Sequence, residues 1–172
     1  LIAHAESIGQ VCGLLSDGLK LADKEYLHTL LQTGLDHLLF LLQPENEKSW
    51  QALGIIMPED LFVTVHITIN KNVAQNINAT LERLAKLDVT SISVGLADMS
   101  LRTVLDALMQ KAADLNIALV FDLPVPYSAQ NPVALETEED DLPSGVGKAW
   151  LYVEPDGDVL PAQGMADQIL GN

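Results

Sequence analysis

The sequence holds a single cysteine, Cys12, in 172 residues. That excludes an internal disulfide and any metal site built from several cysteines of this chain. Cations are scarce: 9 Lys and Arg stand against 24 Asp and Glu, a formal net charge of −15. So acidic a chain is repelled by nucleic acid and by anionic membrane surfaces, which argues against both as partners. No apolar run reaches the roughly 20 residues that a membrane span needs, and no signal peptide is visible, so the chain reads as cytoplasmic. Aromatics make up 5 % of the residues although 48 % are hydrophobic, so Leu, Ile, Val and Ala must fill the core. The length suits one domain with a small appendage.

What is present is organised around Leu61 to Asp98. Phe62 to Ile69 alternates: Val63, Val65, Ile67 and Ile69 share one side, Thr64, His66 and Thr68 the other. A helix stripe follows at Val73, Ile77, Leu81 and Leu84. Thr90 to Leu96 alternates again, with Ile92, Val94 and Leu96 opposite Ser91, Ser93 and Gly95. A parallel strand covered by helices on both faces should be apolar on both. One apolar and one polar face instead predicts helices on one side and a polar hollow on the other. That is the arrangement of a (β/α) barrel, complete or partial.

The same rhythm runs outward from this unit. A helical tail at residues 1–9 leads to a strand at Val11 to Leu15 and a turn at Ser16-Asp17-Gly18. Asp23 caps a helix with a stripe at Tyr26, Leu27, Leu30 and Leu31, which Gly34 stops. Asp36 to Leu42 is a strand buried on both faces, ended by Gln43-Pro44-Glu45, and a short helix spans Glu47 to Leu53 with Trp50 and Leu53 inward. After Asp98 a long helix carries Leu101, Val104, Leu105, Leu108, Met109, Ala112 and Leu115, and Ile117 to Phe121 is the last strand. Five strands alternating with helices imply parallel pairing through right-handed crossovers. The expected fold class is therefore α/β, a partial (β/α) TIM-like barrel over residues 1–124. Residues 125–147 form a Pro-rich, acidic linker whose run Glu136 to Asp141 reads as an extended solvated loop or, alternatively, a divalent-cation site. Residues 148–172 carry a small C-terminal β-hairpin around Pro155-Asp156-Gly157. The chain starts without Met in what reads as a helix already under way, the pattern of a piece of a larger protein.

The order of these motifs resembles the radical S-adenosylmethionine enzymes. The segments that carry the likeness are GLLSDGLKL, QTGLDHLLFLL, HITINKNVAQNINATLERLAKLDVTSISV and LYVEPDGDVLPAQGMADQILGN. The last is similar to the start of the SPASM-type cluster-binding extension found in many of these enzymes. The resemblance implies an oxidoreductase that uses S-adenosylmethionine and a [4Fe-4S] cluster held by a CxxxCxxC loop. This chain lacks that loop, and Ala162 stands where the extension places its first cysteine. The cluster and cofactor chemistry then belong to a parent protein, and this chain supplies cofactor and substrate walls, with no cofactor of its own expected. Two alternatives stay open: a non-catalytic binding or scaffold module derived from that fold, and an unrelated α/β-barrel enzyme working from His66, Asp98 and Asp122.

The candidate cofactor-binding residues are Ser16, Asp17, Gln43, His66, Asn70 and Asp98; the sequence offers no catalytic or metal-ligand set. Five of them follow strands, where barrel ligands are held. The plainer readings are a turn for Ser16-Asp17, strand-end caps for Asn70 and Asp98, and an internally hydrogen-bonded histidine for His66. Cys12 reads as a packed thiol within a strand. A truncated wall has a free strand edge, to be covered by a second copy or by the missing N-terminal half. Anaerobic reconstitution with iron and sulfide is expected to leave this chain without a cluster; stoichiometric iron in the repurified chain refutes the assignment of the cluster to other residues.

Overall fold

Phe62–Ile69 is the longest strand, β3, and the other strands assemble beside it. The computed structural model describes residues 1–120, 151–154, 156–161 and 168–172. The chain divides into two units, Leu1–Val120 and Phe121–Asn172. The first holds β1 (Gly13–Ser16), β2 (His37–Leu42), β3, β4 (Ser91–Leu96) and β5 (Ala118–Leu119), with α1 (Ile2–Ser7), α2 (Lys24–Leu31), α3 (Glu47–Ile56), α4 (Lys71–Ala85) and α5 (Thr103–Asp114) before and between them. The sheet is wholly parallel and its order is sequential, β1-β2-β3-β4-β5. Adding each strand on the same side of the last, by right-handed crossovers, puts all the connecting helices on one face. The fold is thus α/β, a partial barrel wall. The second unit contributes an antiparallel hairpin of β6 (Tyr152–Val153) and β7 (Val159–Leu160). Among the described residues no helix is long and apolar enough to cross a membrane.

The apolar parity of each strand meets the helices. Leu38, Phe40 and Leu42 of β2, Val63, Val65, Ile67 and Ile69 of β3 and Ile92, Val94 and Leu96 of β4 form one core cluster. Leu27 of α2, Trp50, Leu53 and Ile56 of α3, Val73, Ile77, Leu81 and Leu84 of α4, and Leu108 and Ala112 of α5 complete it. At about 25 cal/mol per Å² of apolar surface removed from water, this one layer supplies most of the driving force for folding. Outside it, the helices are tied to each other by charge. Arg83 of α4 makes two hydrogen bonds to the Glu47 carboxylate of α3, at 2.9 and 2.5 Å, and its guanidinium lies 4.2 Å over the Trp50 ring. Lys111 of α5 reaches Glu82 of α4 at 2.7 Å. These cations hold both carboxyls below their ordinary range.

The helices begin and end by repeated devices. Asp23, Asn46 and Asn70 each accept an amide of the following helix: Glu25 and Tyr26, Lys48, and Val73 respectively. Capping of this kind contributes about 1 kcal/mol per helix. Three helices stop at a left-handed residue followed by a buried apolar one: Gly34 then Leu35, Asp88 (φ 59°) then Val89, Asn116 (φ 57°) then Ile117. Val89 and Ile117 donate back to Leu84 and Ala112, five residues earlier, closing the last carbonyls of α4 and α5. Asp88 and Asn116 do the work of glycine there, which is why no glycine marks those ends.

Several boundaries differ from the sequence reading. β1 starts at Gly13 rather than Val11, because Cys12 is taken up before the strand: its carbonyl accepts from Asp36 and His37, and its amide donates to the Asp36 carboxylate at 2.9 Å. Cys12 is half-buried and precedes the strand instead of packing within it. α3 extends three residues beyond Leu53. Tyr26 and Met109 sit on exposed sides of their helices; Tyr26 is covered by Lys20, 4.3 Å above its ring. β2 is apolar on both faces, but His37 at its start is exposed. In the second unit Val159 also pairs with Gly171, and Asn172 donates to Asp158 at 2.6 Å, contacts with no signal in the sequence. The linker at 125–147, Phe121, Asp122 and Ala162 lie outside the described residues.

Gly18 is the tightest point of the wall. It lies at φ 70°, and a Cβ there would stand 2.0 Å from Phe40 Cε2. Gly18→Ala is expected to destabilise the chain by about 3 kcal/mol, the sum of left-handed strain and overpacking of a core ring. Urea unfolding of the two chains measures it; a loss under about 1 kcal/mol would mean that Phe40 can move aside.

Candidate functional site

Opposite the helices, the other parity of the strands forms a second face, which carries no helix of the core cluster. Register sets its rows: Leu41, His66 and Ser93 lie abreast, and Leu39 and Thr64 lie beside Ser91 and Ala118 in the row below. The polar character belongs to β3 and β4; β2 brings Leu39 and Leu41 to the same face. Thr64, Ser91 and Ser93 are buried. Each is paired. Thr64 Oγ1 and Ser91 Oγ are 3.2 Å apart, and His66 Nδ1 and Ser93 Oγ are 2.7 Å apart. The His66 Nε2 stands 3.5 Å from Thr68 Oγ1, a long contact.

A cleft of about 510 Å³ opens beyond the carboxyl ends of β2 and β3. Asp17, Leu41, Gln43, Glu45, Thr68 and Asn70 are among its lining residues. The carboxyl edge of a parallel sheet is where such folds bind ligands, because the loops there vary freely while the strands hold them. Three of the six candidate residues meet in this cleft: Asp17 after β1, Gln43 after β2 and Asn70 after β3. All three also serve their own loops. Asp17 Oδ1 accepts from the Leu19 amide at 3.1 Å, and Gln43 Oε1 from Asn46 Nδ2 at 2.8 Å. Asn70 Oδ1 accepts from the Val73 amide at 2.9 Å.

His66 lies one row beneath, reaching the cleft by way of Thr68. The remaining two candidates stand apart. Ser16 pairs in register with Phe40, hence on the helix-side parity, and its hydroxyl accepts from the Gly18 amide at 3.0 Å. Asp98 is exposed beyond β4, and the Ser100 amide at 2.8 Å keeps its carboxyl below the ordinary range. Thr68, Ser93, Glu45 and Asn46 were not singled out by sequence. An Asn three residues before Ser49 was a usable cap signal for Asn46. Alternation puts Ser93 on the polar face, but its pairing with His66 has no local signal, since register between strands 27 residues apart fixes it.

Chemically the cleft offers amide and hydroxyl groups, two carboxylates (Asp17 and Glu45) and the starts of α3 and α4, whose first-turn amides attract electron-rich groups. No lysine or arginine lines it. Among the described residues no group of three or more His, Cys, Asp and Glu side chains could hold a metal ion. The residues present do not fit an iron–sulfur cluster, which takes several thiolates. Cys12, the one cysteine, precedes β1 at the amino edge of the sheet, the end opposite the cleft.

The chain matches no known protein family, and no curated protein matches it.

Burial lowers the pKa of His66 from 6.5, with no carboxylate partner to offset it. Above pH 6.5 the ring is neutral in folded and unfolded chains alike. As pH falls below 6.5, the unfolded chain binds a proton that folded His66 does not, so stability is lost until the folded ring also titrates. The fall in urea midpoint between about pH 7 and about pH 5 is expected to be smaller in His66→Gln than in the unmodified chain; equal falls would place the ring in a more solvated setting.

Proposed function

We propose that this chain forms the cofactor- and substrate-facing wall of a radical S-adenosylmethionine oxidoreductase, with the cluster loop carried by other residues of the parent protein. The observation that carries the reading is the division of the sheet. Helices take one face of five sequential parallel strands, the other face is polar at its centre, and a cleft with Asp17, Gln43 and Asn70 in its lining opens at the carboxyl edge. A wall of this kind needs further strands to enclose a ligand, and β1, at an edge of the sheet among the described residues, is where they would pair. The order of sequence motifs supplies the family. The parent's cluster provides the electron for reductive cleavage of the cofactor; this chain's Asp17, Gln43 and Asn70 bind and orient.

Ala162, at the place of the extension's first cysteine, favours a second reading, a binding module that has lost its clusters. The gene product that includes the sequence upstream of Leu1 separates the two. On the first reading it contains a CxxxCxxC loop, binds iron and sulfide, and cleaves S-adenosylmethionine when reduced. Gln43→Ala, combined with Asn70→Asp to retain the cap, should then raise the cofactor's apparent Kd by on the order of tenfold. An upstream sequence without that loop, or an iron-loaded protein that leaves the cofactor intact, refutes it in favour of the second.

A further inference from the structure

The two nitrogens of the half-buried His66 ring are held unequally. Ser93 Oγ, buried on β4, fixes Nδ1 at 2.7 Å. On the other side Nε2 has only the long 3.5 Å contact to Thr68 Oγ1, and Thr68 lines the cleft. With only a long contact, Nε2 retains capacity for a better hydrogen bond, and the residue beside it, Thr68, is the one that lines the cleft. We propose that the Thr68–His66 pair is a specificity-determining subsite in the cleft floor, which takes an uncharged, hydroxyl-bearing part of a ligand.

The uncharged class follows from what surrounds the ring. Its neighbours on β3 and β4 are the hydroxyls of Thr64, Thr68, Ser91 and Ser93, and its neighbour on β2 is Leu41. None of these carries charge. No lysine or arginine lines the cleft to receive a carboxylate or phosphate, Asp17 and Glu45 in its lining repel one, and the Asn46 and Asn70 side chains already take a first-turn amide of α3 and of α4. The ring itself is disfavoured as imidazolium by burial, so it acts as a neutral donor or acceptor. Hydroxyl groups donate and accept together, and so match a neutral imidazole beside a threonine in either tautomer. Ser93 is a positioning residue: it orients the ring and does not reach the ligand.

This inference deepens the proposed function, since it rests on the cleft being a ligand site, but its test needs no cluster. The chain, labelled with 15N at histidine, is titrated with glucose and separately with glucuronate, the same ring bearing a carboxylate. Glucose is expected to shift the His66 ring nitrogens saturably and to leave those of His37, at the amino edge of the sheet, unmoved. Glucuronate is expected to bind at least about tenfold more weakly. Thr68→Val, exposed and tolerant of the change, should weaken glucose binding severalfold without altering the urea midpoint. Ser93→Ala should broaden or move the His66 signals before any ligand is added. No shift at His66 with either sugar, or a response to glucuronate equal to that to glucose, overturns the subsite. Failure of the parent protein to bind iron would leave these outcomes unaffected.

Discussion

The structure depends on the removal of one set of β-branched and leucine side chains from water on one side of a single sheet. Val65, Ile67, Ile69 and Ile92 are fully buried beneath α3, α4 and α5, while His66 and Ser93, one residue away along the same strands, face the other direction. Because strand side chains alternate with a period of two, the two faces are fixed together. A slip of one residue would bury His66, Ser93 and Thr68 under helices without partners and expose four large apolar side chains. The register that satisfies the core therefore also places the polar face.

Sequential strand order turns that constraint into a site. All the crossovers lie on the helix side, so the loops that follow β1, β2 and β3 converge on one edge. The three residues that meet there, Asp17, Gln43 and Asn70, come from three separate loops and meet for no local reason. Each is also bonded within its own loop, which keeps the cleft's rim ordered. The arrangement joins stability and recognition: the same Asn70 oxygen that starts α4 sits on the wall where a ligand would lie. The His66–Ser93 pair does the same one row lower, bonding β3 to β4 on a face that has no second layer of helices in the first unit.

Much of the wall was legible residue by residue. The parity of β3 and β4, the stripe of α4, the Asp23 cap and the hairpin turn at Gly157 each follow from local rules of period and φ preference. The misreadings also have local causes. Val11 and Leu14 on either side of Cys12 suggest a strand through it, but Asp36 captures its amide before the ladder begins. Met109 and Tyr26 were assigned to buried stripes, yet a stripe seen in sequence does not say how wide a face the neighbours cover. Asp88 and Asn116 give little sequence signal as helix stops because they are less common than glycine in the left-handed region.

The sequence by itself determined the elements, the parity of their faces and the absence of a cluster-ligating loop, since these rest on side-chain type and spacing along one chain. The tertiary structure alone decided which candidate residues share a site. It drew Asp17, Gln43 and Asn70 to one cleft, left Ser16 and Asp98 outside it, and set Ser93 behind His66. Those outcomes are contacts between strands and loops far apart in sequence, and only strand order and register, settled by burying the whole apolar face at once, bring them about.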